Sequence, residues 1–235
     1  MQRNKRILWT FLCTVALAAM VLTGCGGGVS GAQKVKRPNV KSDELQFTGP
    51  VAGDTVAQIE TTAGKISVVL YPDKTPQAVQ NFVGLAESGF FNGTGFSRLE
   101  HGFCVQGGVN DEGFTSTIWN GAGFAPEWTD SLHHYSGALA TPVDENGLCS
   151  GAFYFMQTFS DSVDDALAAQ MTETGYRQEV IDAYKAGGGA PYLDYTDTVF
   201  GQVYDGMQVV DAIAQSGEAE EPIRITSVTV STYEK

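Results

Sequence analysis

The sequence predicts a mainly β protein: a closed eight-stranded antiparallel barrel capped by two helices, with a helical segment set into it late in the chain. Three observations lead there. Short apolar or alternating runs recur between glycine-rich turns from residue 56 to residue 233. Two stretches among them, 75–89 and 206–214, instead carry apolar residues at helical spacing. A long, polar, helix-prone stretch at 161–190 interrupts the strand pattern. Many short antiparallel strands are best protected at their edges by closing the sheet on itself.

Taken in order, residues 56–61 and 65–71 read as two strands joined by Thr62-Ala63-Gly64, a hairpin signal. Thr75-Pro76 opens the first helix, with Thr75 expected to cap the free amides and Pro76 suited to the first helical position. Val79, Phe82, Val83 and Ala86 give this helix one apolar face, and Gly89 ends it. Further strands are expected within 96–108 and at 137–141, 152–157 and 198–203. Met207, Val210 and Ile213 mark one face of the second helix. At 225–233, Val228 and Val230 alternate with serine and threonine, which reads as the last strand. The interrupting stretch has Ala166, Leu167, Met171, Val180, Ile181 and Tyr184 as its periodic apolar positions. Two short helices are expected there, parted near Gly175 and closed by Gly187-Gly188-Gly189.

The N-terminus reads as a targeting segment. Arg3, Lys5 and Arg6 precede an apolar run from Ile7 to Val21, and Leu22-Thr23-Gly24-Cys25 resembles a lipobox. Residues 1–24 are therefore expected to be removed as a lipoprotein signal peptide, leaving Cys25 as the lipidated residue and membrane anchor. Residues 25–50 read as a tether, with Gly26-Gly27-Gly28, four basic side chains and few apolar ones. The remaining domain, 51–235, would then sit on the extracytoplasmic side of the membrane. It holds seven basic and 25 acidic side chains, a net charge near −18, which argues against a nucleic-acid partner. Its length suits one domain with a single core, and it is expected to be a monomer. Cys104 and Cys149 are its two cysteines, and sequence leaves a disulfide and two buried thiols equally open.

The densest chemistry lies in Phe96-Ser97-Arg98-Leu99-Glu100-His101-Gly102-Phe103-Cys104-Val105-Gln106-Gly107-Gly108. Arg98 supplies a permanent charge in a fork geometry, Gln106 an amide donor, and Phe103 an apolar wall. Together they can hold a peptide carbonyl while an apolar side chain is gripped. The three histidines, His101, His133 and His134, lack metal-ligand spacing, and no phosphate-binding loop is present, so neither a metal nor a cofactor is expected.

Nearly all of residues 54–233 resembles the cyclophilin-type peptidyl-prolyl isomerases, with the matching motifs in the family's order. Residues 57–71 look like the first hairpin and Thr75-Pro76 to Gly89 like the first helix. The run from Phe96 to Gly108 resembles the catalytic strand pair. Gly121-Ala122-Gly123-Phe124-Ala125-Pro126-Glu127 is similar to the glycine-rich loop, and 151–158 to the strand that lines the groove. The resemblance implies a barrel of the cyclophilin kind and prolyl isomerisation without cofactor. Arg98, Phe103 and Gln106 would be the catalytic residues; Phe155 and Leu193 would complete the proline pocket.

Neighbouring substrate positions depart from the family's pattern. Cys104 stands for a methionine, Pro142-Val143 for an Ala-Asn pair, Phe153 for a glutamine, Tyr192 for a tryptophan and Asp197 for a histidine. The extra carboxylate and aromatic residues imply a preference for basic or apolar neighbours of the proline. The expected partners are proline-containing segments of unfolded or exported proteins. A second reading is a catalytically weak module of the same fold that binds such segments. A solute-binding lipoprotein is a third, for which one core of this size is small. The helical segment at 161–190 could overhang the substrate path or decorate the barrel's outer wall.

Overall fold

The computed structural model describes residues 32–217 and 221–235. The proposed signal peptide and Cys25 lie outside the described residues. Eight strands form one antiparallel sheet: β1 (Thr55–Thr61), β2 (Gly64–Leu70), β3 (Arg98–Glu100), β4 (Cys104–Gly107), β5 (Ala138–Thr141), β6 (Phe153–Met156), β7 (Thr198–Asp205) and β8 (Ile225–Thr232). The helices are α1 (Pro76–Glu87), α2 (Asp165–Glu173), α3 (Gln178–Gly187) and α4 (Met207–Gln215).

The sheet does not close. Its order is β3-β4-β6-β5-β7-β2-β1-β8, and its edges stand 14 Å apart, so the molecule is an open, strongly curled half-barrel and not the closed barrel expected from sequence. The reason is local. With three residues, β3 is too short to offer β8 a full ladder, and the two edges meet only at a corner. There Gly95 bridges Arg224, Gly93 N–H donates to Ile225 O, and Ile225 N–H donates to Thr94 O. Strand pattern predicts the strands; it does not predict whether the last pair will meet.

One face of the sheet packs with α1 and α4 around Ile59, Ile66, Leu70, Phe82, Leu139, Phe155, Phe200 and Ile213. The opposite face carries a second cluster that includes Cys104, Tyr154, Met156 and Val199. Alternation along each strand separates the two: Leu139 faces the first cluster while Ala138 and Ala140 face the second. α1 begins at Pro76 as expected, but Thr75 does not cap it. The Glu127 carboxylate instead accepts from the Gln77 and Ala78 amides at 3.2 and 3.0 Å, placing a negative charge at the helix's positive end. Gly108 adopts φ 79° where the chain passes against Gly151 O, so close that no side chain would fit.

The segment read as an insertion folds as α2 and α3, turning at Gly175 with φ 89°. It has its own apolar cluster around Tyr135, Val163, Met171, Val180, Ile181 and Tyr184. The stretch read as a tether also has contacts the composition did not foretell. Arg37 donates from Nε and Nη2 to the Asp211 carboxylate, and Gln46 exchanges hydrogen bonds with the His133 backbone at 2.6 and 2.9 Å. Arg177 forks onto the Glu44 carboxylate at 2.8 and 2.9 Å, and Phe47 lies 4.9 Å from Tyr135, ring to ring. Segment 37–47 thus runs along the body on polar anchors, which a count of apolar residues overlooks.

Candidate active site

In the β3–β4 hairpin Arg98 stands opposite Gln106, and Glu100 opposite Cys104. Residues two apart on a strand share a face, so all four lie on one side of the ladder. Phe103 ends the turn between the strands, and the Arg98 guanidinium carbon lies 5.1 Å from its ring centroid, a cation–π contact. Arg98 Nε and Nη2 both donate to Glu100 Oε2, at 3.1 and 2.5 Å, and this hydrogen bond raises the guanidinium pKa above its ordinary value. Both side chains are 51% exposed, so the pair contributes little to stability. Among the described residues, Arg98 Nη1 and the Gln106 side-chain amide have no protein partner. They are donors left for a ligand.

The third wall comes from β6, but through Tyr154 and Met156 and not through the phenylalanines expected there. The register pairs Cys104 with Met156 and Gln106 with Tyr154, while Val105 pairs with Phe155 and Gly107 with Phe153. Tyr154 and Met156 therefore share the face of Cys104 and Gln106. Phe153 and Phe155, expected in the groove, are buried on the opposite face among Phe82, Phe91 and Leu139. A one-residue slip exchanges the two sides of a strand. Every residue of Phe153-Tyr154-Phe155-Met156 is buried and bulky, so the sequence offers no alternation by which to choose.

Cys104 is buried, and that burial pushes its thiol up to about 11, so it is a neutral, small apolar surface beneath the groove. Cys149 is likewise buried and pushed up to about 11; the two are separate free thiols, which settles the alternative left open by sequence. Leu193, in the 3-10 turn Pro191–Leu193, packs with Phe103 against the cluster of Cys104, Tyr154 and Met156. Tyr192 is exposed; burial of part of its ring, then the nearness of Glu100 and Cys104, raises its pKa and marks it at the groove's edge.

Asp197 is not an open carboxylate. Its Oδ2 accepts from Tyr154 Oη at 2.7 Å and its Oδ1 from Val143 N–H at 3.2 Å. This pins the end of β5 to the groove strand. Pro142 is half-buried, and the Val143 side chain packs toward the α1 side of the sheet, so Val143 joins the site through its backbone. The acid that does face the site is Glu100. Its signal was legible in the sequence, since it lies two residues from Arg98 on one strand.

Behind Leu193 stands a buried polar hub that sequence reasoning did not single out. Asp194 has a side chain 2% exposed. Its Oδ1 meets His134 Nδ1 at 2.8 Å and His134 N–H at 2.9 Å; its Oδ2 meets His133 Nδ1 at 3.1 Å, Tyr176 Oη at 3.1 Å and Tyr184 Oη at 2.8 Å. Burial alone would raise this carboxyl, but the histidine hydrogen bonds outweigh it and hold it well below the usual range. The His134 ring in turn stacks on Tyr154, 6.3 Å between centroids. Tyr176 and Tyr184 belong to the helical segment, which therefore braces the wall of the site and does more than decorate the outside.

Residues 56–230 match the family model described as "Cyclophilin type peptidyl-prolyl cis-trans isomerase/CLD". A protein of Staphylococcus aureus (strain COL), named "Putative peptidyl-prolyl cis-trans isomerase", is 30% identical over 174 residues, 73% of this chain and 87% of that protein. A Staphylococcus saprophyticus protein of the same name is 28% identical over 191 residues, 80% of this chain and 96% of that one. Among solved structures, a Cryptosporidium parvum cyclophilin type peptidyl-prolyl cis-trans isomerase superposes with a TM-score of 0.59 at 17% identity, covering 77% of this chain and 99% of the other. That likeness shows the shared fold, while the family model, spanning most of the chain, shows the kinship. The chain belongs to the cyclophilin-type peptidyl-prolyl cis-trans isomerases and is an enzyme of that class.

Proposed function

We propose that Arg98 is the cation on which turnover depends, and that the enzyme acts on proline-containing segments of exported proteins at a membrane surface. The reaction needs no covalent step. Resonance sets a barrier of about 18–20 kcal/mol to rotating a peptide bond. In the twisted state the prolyl nitrogen regains a localised lone pair, and a donor aimed at it lowers the barrier. Arg98 is held over Phe103 with Nη1 unspent, and the Gln106 amide stands across the ladder to hold the preceding carbonyl. Phe103 and Leu193, with the buried Cys104 and Met156 in the cluster beneath them, supply the apolar surface for the proline ring. The single observation that carries this reading is the pair of unspent donors beside an apolar surface.

The membrane part rests on the N-terminal sequence: a basic start, an apolar run and Leu22-Thr23-Gly24-Cys25. Anchoring at Cys25 would leave twelve residue steps to Arg37, at most about 40 Å of extended chain, so a monomeric body would work close to the bilayer. Two measurements test the proposal. Arg98→Ala should cut prolyl isomerisation by at least about 100-fold, and turnover equal to wild type would remove Arg98 from the mechanism. Cys25→Ala should release the protein from the membrane fraction; unchanged membrane association would refute the anchor.

A further inference from the structure

Beside the groove, between α2 and the turn Pro191–Leu193, lies an open cleft of about 340 Å3, a size within the roughly 300–1,000 Å3 typical of ligand sites. Leu167 and Met171, four residues apart on α2, form one side, and Tyr176, Tyr192 and Tyr195 the other. The tyrosine hydroxyls are partly spent elsewhere: the one Tyr176 Oη proton lies between Pro191 O and Asp194 Oδ2, 3.0 and 3.1 Å from Oη, and Tyr195 Oη donates to Asp130 at 3.0 Å. Ring surface remains toward the cleft. Tyr192 and Tyr195 are 63% and 50% exposed and line the cleft together.

The cleft continues the groove. Leu193 packs on the same buried cluster as Phe103, the one that holds Cys104, while its neighbour Tyr192 lines the cleft and lies near Glu100 and Cys104. One 3-10 turn thus serves as wall to both.

We propose that this cleft is a second subsite, which takes one apolar side chain, leucine- or phenylalanine-sized, from the same client chain a few residues from the isomerised proline. The inference rests on the reading of the groove as the proline site. An extended chain advances about 3.3 Å per residue, so a client held at Leu193 reaches past Tyr192 within a few residues. Unfolded exported chains carry such side chains exposed, and the cleft would select them over folded or wholly polar segments.

The test compares a four-residue Xaa-Pro peptide with twelve-residue peptides that carry either leucine or serine two to four residues from the proline. Binding is read by fluorescence anisotropy and turnover by isomerisation. The leucine peptide should bind about tenfold more tightly than the serine peptide, the order expected for burying one such side chain, with the gain in KM and not in kcat. Gln170→Trp, at an exposed position on the cleft rim, should fill the cleft and abolish the gain while leaving the short peptide unchanged. Leu167→Glu should do the same by making its side polar. Equal binding of leucine and serine peptides, or a gain that survives both variants, overturns the subsite. So does a dimer in sedimentation that Gln170→Trp dissolves, since the occupant would then be a second copy. Failure of the isomerase reading shows separately, as no turnover of the short peptide while the leucine-dependent binding persists.

Discussion

Two charged clusters flank the same groove and are built in opposite ways. Arg98 and Glu100 sit on the short edge strand, half exposed, touching mainly each other and the Phe103 ring. Asp194 sits behind Leu193, almost wholly buried, taking hydrogen bonds from two histidines, two tyrosines and a backbone amide. Exposed pairs are worth little to the fold, whereas a buried charge must be paired or it unfolds its surroundings. The contrast teaches how a fold separates charges that hold it together from charges left free for a ligand. Arg98, the cation proposed to meet the substrate, is held loosely, with a donor to spare. The anion that must hold the wall is fully engaged, even though the Nε2 atoms of His133 and His134 are left buried without partners among the described residues.

The largest expected effect is at the hub. Asp194→Ala should cost about 3–5 kcal/mol of stability in urea unfolding, the usual penalty for stripping one partner from a buried charged network. A loss under about 1 kcal/mol would erase the distinction between the clusters. Acid should act on the hub as well. The folded-state pKa of Asp194 is depressed, so its contribution is complete above the unfolded value near ~3.9 and is lost as pH falls through the folded value. Stability should therefore fall steadily below about pH 4, and Asp194→Asn should flatten that slope. An unaltered slope would mean that other carboxyls govern it.

Smaller effects sharpen the boundary. Tyr154→Phe removes the hydrogen bond to Asp197 and should cost about 1.5–3 kcal/mol, as bonds to charged acceptors do. Turnover should fall several-fold as the end of β5 loosens from the groove. Smallest is Glu100→Gln: stability should change by less than about 0.5 kcal/mol. Peptides with lysine or arginine next to proline should lose turnover relative to neutral ones, because Glu100 is the acid that faces the groove. If Asp197→Asn shows that selectivity and Glu100→Gln does not, the assignment of the two carboxylates is reversed.

How much of this could be read beforehand follows from the same physics. That Arg98, Phe103, Cys104 and Gln106 come together was legible because they lie on one short hairpin, where sequence spacing is spatial spacing. The strands and helices were legible from their periods. Phe153 and Phe155 were misplaced because a strand buried on both faces has no alternation to fix its register; only pairing with β4 does so. Closure failed as an expectation because it depends on two edges far apart in sequence. The Asp194 hub was hidden for a related reason: its partners come from residues 133, 134, 176 and 184, which no local pattern joins. Glu100 was within reach and was missed, since its place two residues from Arg98 already put both on one face.

The most direct test of the account measures turnover and urea stability on the same preparation of Arg98→Ala. Turnover should fall by about 100-fold or more, close to 2.7 kcal/mol of transition-state stabilisation, while unfolding stability stays within about 0.5 kcal/mol of wild type. A variant that keeps its turnover, or loses turnover only in proportion to lost stability, would contradict the claim that Arg98 serves the reaction and not the fold.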